Sequence, residues 1–370
     1  MKIGTVKEIK RYEYRVGLTP SNVKEYVSNG HEVYVQAGAG AGSSFSSEEY
    51  TAAGATILDT AKEVWDICDM IVKVKEPLPE EYPLMRENQI IYTYLHLAAS
   101  RSLTEALLAS KSKAVAYETI EDASGGLPLL RPMSEIAGKL SVQAGARCLE
   151  KPMGGRGVLL GGAVGVKKAE CVIIGAGVVG TAALKMAVGL GANVTILDRS
   201  IERLSYLDDV FGSRIQTLYS TAAAIEEILP KADLVIGAVL VPGAKAPKLI
   251  RRHHLKLMKP GAVIVDVAVD QGGCCETTTP TYHDAPTFVI DDIVHYCVAN
   301  MPGAVSQTST FALTNATLGY GLKIANLGLE KALEGDDCLK PGVNCYQGRL
   351  TCKEVAEAFD MEYTPIESLL

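Results

Sequence analysis

Four side chains suited to chemistry each follow the end of an apparent strand. Arg15 lies in RYEYRVGLTP after the apolar IGTV, and Lys75 closes DMIVKVK ahead of Glu76 and Pro77. His96 closes IIYTYLH, and Asp270 ends AVIVDVAVD just before the turn Gln271-Gly272-Gly273. In an open parallel sheet the C-terminal strand ends share one edge, where ligands bind, so Arg15, Lys75 and His96 can face one cleft, and Asp270 joins them from the other lobe, again at a C-terminal strand end. A guanidinium grips a carboxylate with two parallel bonds, and an ammonium steadies a developing negative oxygen. An imidazole exchanges protons near neutral pH, and a carboxylate balances positive charge. Taken singly, each residue also has an ordinary reading. Arg15 and Lys75 serve as solvated surface charges, His96 as a satisfied strand-end histidine and Asp270 as the residue that starts a turn.

A second constellation binds rather than reacts. Gly175, Gly177 and Gly180 form GAGVVG directly after the strand-like CVII and open the helix-like VVGTAALKMAV. Gly175 permits a tight turn, Gly177 lets the backbone approach a pyrophosphate, and Gly180 lets helix pack on strand, with the anion on the helix N-terminus. Asp198 ends the next strand, NVTILD, 18 residues after Gly180. There a carboxylate accepts both ribose hydroxyls and repels a 2′-phosphate, which favours NAD over NADP. The competing role for Asp198 is to cap the helix IERLSYL, and the neighbouring Arg199 is a guanidinium that could meet a phosphate.

Such residues need a two-part scaffold. The first third alternates IGTV, EVYVQA, DMIVKVK, IIYTYLHLA and AVAYET with amphipathic connections, the rhythm of a parallel α/β sheet. Helical spacing from Met133 to Lys151 and the glycine-rich MGGRGVLLGGAVGV lead to a second series: AECVIIG, NVTILD, RIQTLY, ADLVIGA, AVIVDVA and TFVIDD. From Ser306 the pattern turns helical through TSTFALTNATLGYGLKIANLGLEKAL and CKEVAEAFD. The expected architecture is α/β with two lobes. Residues 131–305 form a doubly wound Rossmann domain that binds NAD, and residues 1–130 with 306–370 form a discontinuous, Rossmann-like catalytic domain.

Composition excludes several classes. The 370 residues exceed one comfortable core, and 48% hydrophobic with 21% charged residues is ordinary for a globular chain that folds throughout. A net charge of -7 argues against nucleic-acid and anionic-membrane binding. MKIGTVKEIKRYEYRVG has no apolar signal core and no apolar run reaches the ~18 residues of a span, so the expectation is cytoplasmic. The nine cysteines are scattered without a CxxC pair, which suits reduced thiols. Cys274 with Cys275 and His253 with His254 are adjacent, a spacing poorly suited to convergent metal ligands, and no metal site is expected.

With RVGLTP, VKVKEP, TYLHLA, GAGVVG, DVAVDQGG and NMPGAV in this order, the sequence resembles the alanine dehydrogenase family from end to end. It is also similar to the soluble nucleotide-binding component of proton-translocating transhydrogenase. The first resemblance implies reversible, NAD-dependent deamination of L-alanine to pyruvate and ammonium, in a homo-oligomer, commonly a hexamer. It implies that Arg15 and Lys75 bind substrate and that His96 and Asp270 are catalytic. Cofactor contacts carry over to Ser134, Val178, Val179, Asp198, Arg203, Ser220, Val239, Leu240, Val267, Ala268, Val269, Asp270, Val298, Ala299, Asn300 and Met301. The second implies the alternative, a non-catalytic module that passes hydride to a nucleotide on a partner subunit. The set Arg15, Lys75, His96 and Asp270 speaks for the enzyme, because a docking module needs no amino-acid site. Three departures stand out: Thr279 where relatives often have arginine, Gly319 where proline is usual, and AVSQTST in place of AVPRTST. Some members hold a metal between a glutamate and a late-helix histidine. Here Glu118 is present and Leu327 takes the histidine position, so that metal is not expected.

Overall fold

The computed structural model describes residues 1–239 and 246–370. Along the chain run β1 (Lys2–Thr5), α1 (Pro20–Ser28), β2 (Glu32–Gln36), α2 (Ser47–Ala52), β3 (Thr56–Leu58) and α3 (Ala61–Ile67). Then come β4 (Met70–Val72), β5 (Ile90–Thr93), α4 (Arg101–Ser110), β6 (Lys113–Ala116) and α5 (Arg131–Cys148). β7 (Glu170–Ile174), α6 (Val178–Gly189), β8 (Asn193–Asp198), α7 (Ile201–Phe211), β9 (Ile215–Tyr219) and α8 (Ala222–Ile228) follow. After β10 (Leu234–Gly237) come β11 (Val263–Asp266), β12 (Thr287–Ile290), β13 (Ile293–Tyr296), α9 (Ser306–Leu327) and α10 (Leu329–Glu334). The chain closes with β14 (Val343–Tyr346), β15 (Arg349–Leu350) and α11 (Lys353–Phe359).

The described residues fall into two compact units, Met1–Met133 with Val305–Leu370, and Ser134–Ala304. The first unit is built on an eight-stranded sheet of order β15-β14-β6-β5-β4-β1-β2-β3. Its members β1 to β6 are parallel, and β14 and β15 add an antiparallel edge. Every residue of β4 (MIV) and β5 (IIYT) is buried, as continuous apolar runs require of strands covered on both faces. The core gathers Ile71, Ile91, Leu95 and Trp65 with Cys345, Leu350 and Val355 from the chain's end.

The second unit carries a seven-stranded sheet of order β12-β13-β11-β10-β7-β8-β9, parallel except for β12. The segment TFVIDD was expected to extend the parallel series. It is instead an antiparallel edge strand, paired with the short β13 that lies next to β11. Asp291 and Asp292 at the hairpin both adopt positive φ, the tight turn that reverses the chain. The helix expected over Met133–Lys151 runs over Arg131–Cys148. Its Gly138 faces α6 so closely that a Cβ would lie 2.2 Å from the carbonyl oxygen of Val179.

Candidate active site

Lys75 and His96 do not close their strands. β4 ends at Val72 and β5 at Thr93, so each side chain stands three residues beyond its strand in an irregular segment. The strands are neighbours in register, Val72 opposite Tyr92, and β1, which precedes Arg15, lies on the far side of β4. The order β5-β4-β1 therefore brings the three segments to the same edge of one sheet.

Lys75 is half-buried, and among the described residues no carboxylate comes within ion-pair distance of its ammonium. Burial, followed by the cations of Arg15 and Lys10, lowers its pKa, against a weaker upward pull from Glu13 and Glu76. Its backbone is fixed at both ends. Oε1 of Glu8 accepts the peptide N–H groups of Val74 at 2.6 Å and Lys75 at 3.2 Å, and Thr93 Oγ1 donates to the Lys75 carbonyl at 3.0 Å. Beneath it Lys73 is fully buried, with Glu81 at 2.7 Å and Glu8 at 3.2 Å.

His96 adopts a left-handed backbone, φ 48° and ψ 43°, which costs a non-glycine residue about 1–2 kcal/mol. Glu118 compensates: its Oε1 accepts the N–H of His96 at 2.5 Å and of Leu95 at 3.0 Å. The same oxygen lies 3.7 Å from His96 Nδ1. The imidazole stacks on the ring of Tyr94, whose hydroxyl donates to the Leu129 carbonyl at 2.6 Å. Although 45% of the side chain is exposed, crowding by surrounding protein is the main influence on its pKa. That influence and Lys75 lower it, while Glu118 holds it up in part. A neutral, proton-accepting imidazole results near pH 7.

Arg15 is not a solvated charge. It is 2% exposed, and Glu13 accepts from its Nε at 2.6 Å and from a terminal nitrogen at 2.5 Å. Burial pulls its pKa down and the Glu13 carboxylate pushes it up, with the net shift upward. The other terminal nitrogen faces the Met133 sulfur at 3.0 Å.

In the second unit the three glycines of GAGVVG take distinct parts. Gly175 has φ 105°, and a Cβ there would meet the Ala238 carbonyl oxygen at 2.6 Å. A Cβ on Gly180 would lie 1.7 Å from the Gly175 carbonyl oxygen, and one on Gly177 would enter open space. Gly177 begins α6 and no side chain caps that helix, so the first-turn N–H groups of Val178 and Val179 remain for an anion. Asp198 is the last residue of β8, and it does not cap the following helix. Ser200 does so, while Asp198 accepts the N–H groups of Ala176 at 2.6 Å and Ser200 at 2.8 Å. Arg203 donates to the Ala176 carbonyl at 2.9 Å and to Thr181 at 2.8 Å. These features fit a dinucleotide whose pyrophosphate rests on α6 and whose ribose meets Asp198.

The other expected cofactor residues gather at the C-terminal strand ends of the same unit. Val239 follows β10, Ser220 follows β9 with its N–H on the Asp198 carbonyl, and Val267, Ala268 and Val269 follow β11. Val298, Ala299, Asn300 and Met301 follow β13, and Ser134 stands in the first turn of α5. Leu240 lies outside the described residues. Asp270 is exposed in a short turn four residues beyond β11, and the Asn300 N–H points at it from 3.5 Å. One group among the described residues could hold a metal: Glu226, His253 and His254. Its chemistry argues otherwise, because His254 Nδ1 accepts the Arg251 N–H at 3.1 Å. The ring proton of the neutral imidazole then sits on Nε2, directed at Glu226 3.4 Å away, where a metal would need a lone pair. All nine cysteines are free, and only Cys338 is not buried.

The acids that organise this site, Glu8, Glu13 and Glu81, belong to no motif that announces their role in the sequence, where Glu118 stands out only as the counterpart of a metal ligand in relatives. The one signal for Glu8 and Glu118 is an acid two or three residues past a short apolar strand.

Residues 4–137 and 141–353 match the family described as alanine dehydrogenase/PNT, in its N-terminal and C-terminal domains respectively. The chain is 55% identical to the alanine dehydrogenase of Halomonas elongata over 370 residues, the whole of both chains. A solved L-alanine dehydrogenase superposes with a TM-score of 0.95 at 56% identity, covering 97% of this chain and 99% of the other. A transhydrogenase from Sinorhizobium meliloti shares the fold, with a TM-score of 0.82 at 24% identity over 95% of this chain and 99% of the other.

Proposed function

The chain belongs to the alanine dehydrogenase/PNT family, and from this we infer that it oxidatively deaminates L-alanine to pyruvate and ammonium, and runs the reverse reaction. It is an oxidoreductase acting on an amino acid. NAD is its nucleotide, a reading supported by the carboxylate of Asp198 at the end of β8 and by the open approach to Gly177. The unit built from residues 1–130 and 306–370 serves the substrate, and residues 131–305 serve the nucleotide. The subunits assemble as a homo-oligomer, a hexamer by family resemblance, in the cytoplasm. No helix among the described residues is long and apolar enough to cross a membrane.

The single observation that carries this reading is the placing of Lys75 and His96 at equal distances beyond adjacent strands, with Arg15 served by the next. Arg15, aligned by Glu13, orients the substrate carboxylate. Among the described residues no carboxylate lies within ion-pair distance of Lys75, so its ammonium is available to hold the substrate's carboxylate or the oxygen that becomes the carbonyl. Bound NAD⁺ supplies the hydride acceptor. Loss of the hydride from Cα leaves an imine. His96, with Nε2 unpartnered among the described residues, takes a proton from the water that adds to the imine carbon and returns it to the nitrogen as the C–N bond breaks and the carbonyl forms, which releases ammonia. Asp270 balances the positive charge on the substrate nitrogen. Mixing L-alanine, NAD⁺ and the protein and following NADH tests the whole. If no NADH forms at alkaline pH, and none is consumed with pyruvate and ammonium, the reading is wrong.

A further inference from the structure

The two residues read as most directly chemical are held in the same way. Oε1 of Glu8 accepts the N–H groups of Lys75 and of Val74 before it, and Oε1 of Glu118 accepts those of His96 and of Leu95 before it. The sheet order explains the match. Lys75 and His96 follow the central strands β4 and β5, and the acids follow the strands on either side, β1 and β6. Past a strand's end the ladder no longer supplies acceptors, and an irregular segment usually gives its N–H groups to water. Here each pair of consecutive N–H groups is given to one charged acceptor, a stronger bond than a neutral carbonyl offers.

We propose that Glu8 and Glu118 are a matched pair of positioning residues, each fixing the backbone of one reactive side chain from the flanking strand. This rests on the roles assigned above to Lys75 and His96. Neither acid touches the reacting atoms. Glu118 holds His96 in a left-handed conformation that the histidine alone would leave, and that conformation carries the ring onto the face of Tyr94. Glu8 binds the peptide N–H groups of Val74 and Lys75 and anchors itself through its second oxygen on Lys73. Small displacements of a catalytic group are costly, since a misplacement of about 1 Å can lower a rate by ~10²-fold.

Glu118 allows the cleaner mutational test, because its Oε1 takes both N–H groups and its Oε2, which shares the Leu95 N–H at 3.2 Å, makes no ion pair among the described residues. Glu118→Gln retains that acceptor without the charge, and Glu118→Ala removes it. The expected result is a kcat for alanine deamination near wild type in Glu118→Gln and about 10²-fold lower in Glu118→Ala. NADH affinity should be unchanged in both. Equal losses in the two variants would mean that charge, not the hydrogen bonds, matters, and would overturn the proposal. So would a wild-type kcat in Glu118→Ala. The wild-type protein gives a second measurement that needs no variant to fold. Backbone amide exchange at Val74, Lys75, Leu95 and His96 should be strongly slowed, even at the exposed His96, and free exchange at these four positions refutes the staples. A His96→Ala variant with a wild-type rate would defeat the assigned role of His96 instead, whatever the amides do.

Discussion

Asp198 and Ala176 are joined by a 2.6 Å hydrogen bond, in which the Ala176 N–H donates to the carboxylate from within the glycine-rich turn. Arg203 holds the carbonyl of the same residue, so the turn is gripped on both sides. The acid proposed for the ribose therefore also braces the glycine-rich turn proposed to hold the phosphates. Asp198→Gly should narrow the preference for NAD over NADP chiefly by weakening NAD. Losing a hydrogen bond to a charged group costs about 1.5–3 kcal/mol, so NAD efficiency should fall by at least ~10-fold. The check is kcat/KM with both nucleotides. Comparable wild-type efficiencies with NAD and NADP would contradict the ribose role.

Lys73 lies between Glu8 and Glu81 with no exposed surface. Lys73→Met would leave two buried carboxylates without their cation, and breaking such a cluster from one side costs about 3–5 kcal/mol. Denaturant unfolding should show a loss of that size in the unit carrying Lys73. A loss below ~1 kcal/mol would mean that water reaches these acids.

What the sequence made legible follows from how local the signal is. GAGVVG announces itself because turn, proposed anion site and helix packing all lie within six residues, and Lys75 and His96 stand out because each trails an apolar, strand-like segment. Glu8 and Glu118 act on peptides 66 and 22 residues away, a pairing created only when β1 falls beside β4 and β6 beside β5. No periodicity carries that information. β3, β14 and β15, at two to four residues each, are likewise too short to show a pattern of their own.

The pKa of His96 should lie below 6.5, because crowding and the nearby Lys75 disfavour the imidazolium. Glu118 and Glu76 oppose this, and Lys10 adds to it. Glu118→Gln removes a negative charge that stabilises the imidazolium, so the value should drop further. Titration of the His96 ring protons by NMR reads both. A wild-type value above 6.5, or an upward move in the variant, contradicts the electrostatics.

A fragment of residues 131–305 should fold and bind NAD, since it contains every strand of the seven-stranded sheet from β7 to β13. Residues 1–130 alone should not fold cooperatively. They lack β14, which pairs with β6, and the side chains of Cys345, Leu350 and Val355 that complete the core around Ile71 and Ile91. Calorimetry and NADH fluorescence on the two fragments decide it. A sharp transition in the N-terminal piece would show that the chain's end is dispensable to that unit.

His96 and Lys75 should matter for turnover far more than for nucleotide binding, because both stand in the unit that does not carry the glycine-rich turn. Losing a general acid or base typically lowers a rate by ~10²–10⁴-fold. His96→Ala should therefore bind NADH almost normally and deaminate alanine more slowly by that factor. Lys75→Ala should fail at least as badly, since a methyl group can hold neither a carboxylate nor a polarised oxygen. Its defect should appear in KM for pyruvate as well as in kcat, whereas that of His96→Ala should fall mainly on kcat. Isothermal titration with NADH and initial rates in both directions separate these outcomes. Wild-type rates in both variants would leave the dehydrogenase intact and remove these two residues from its chemistry.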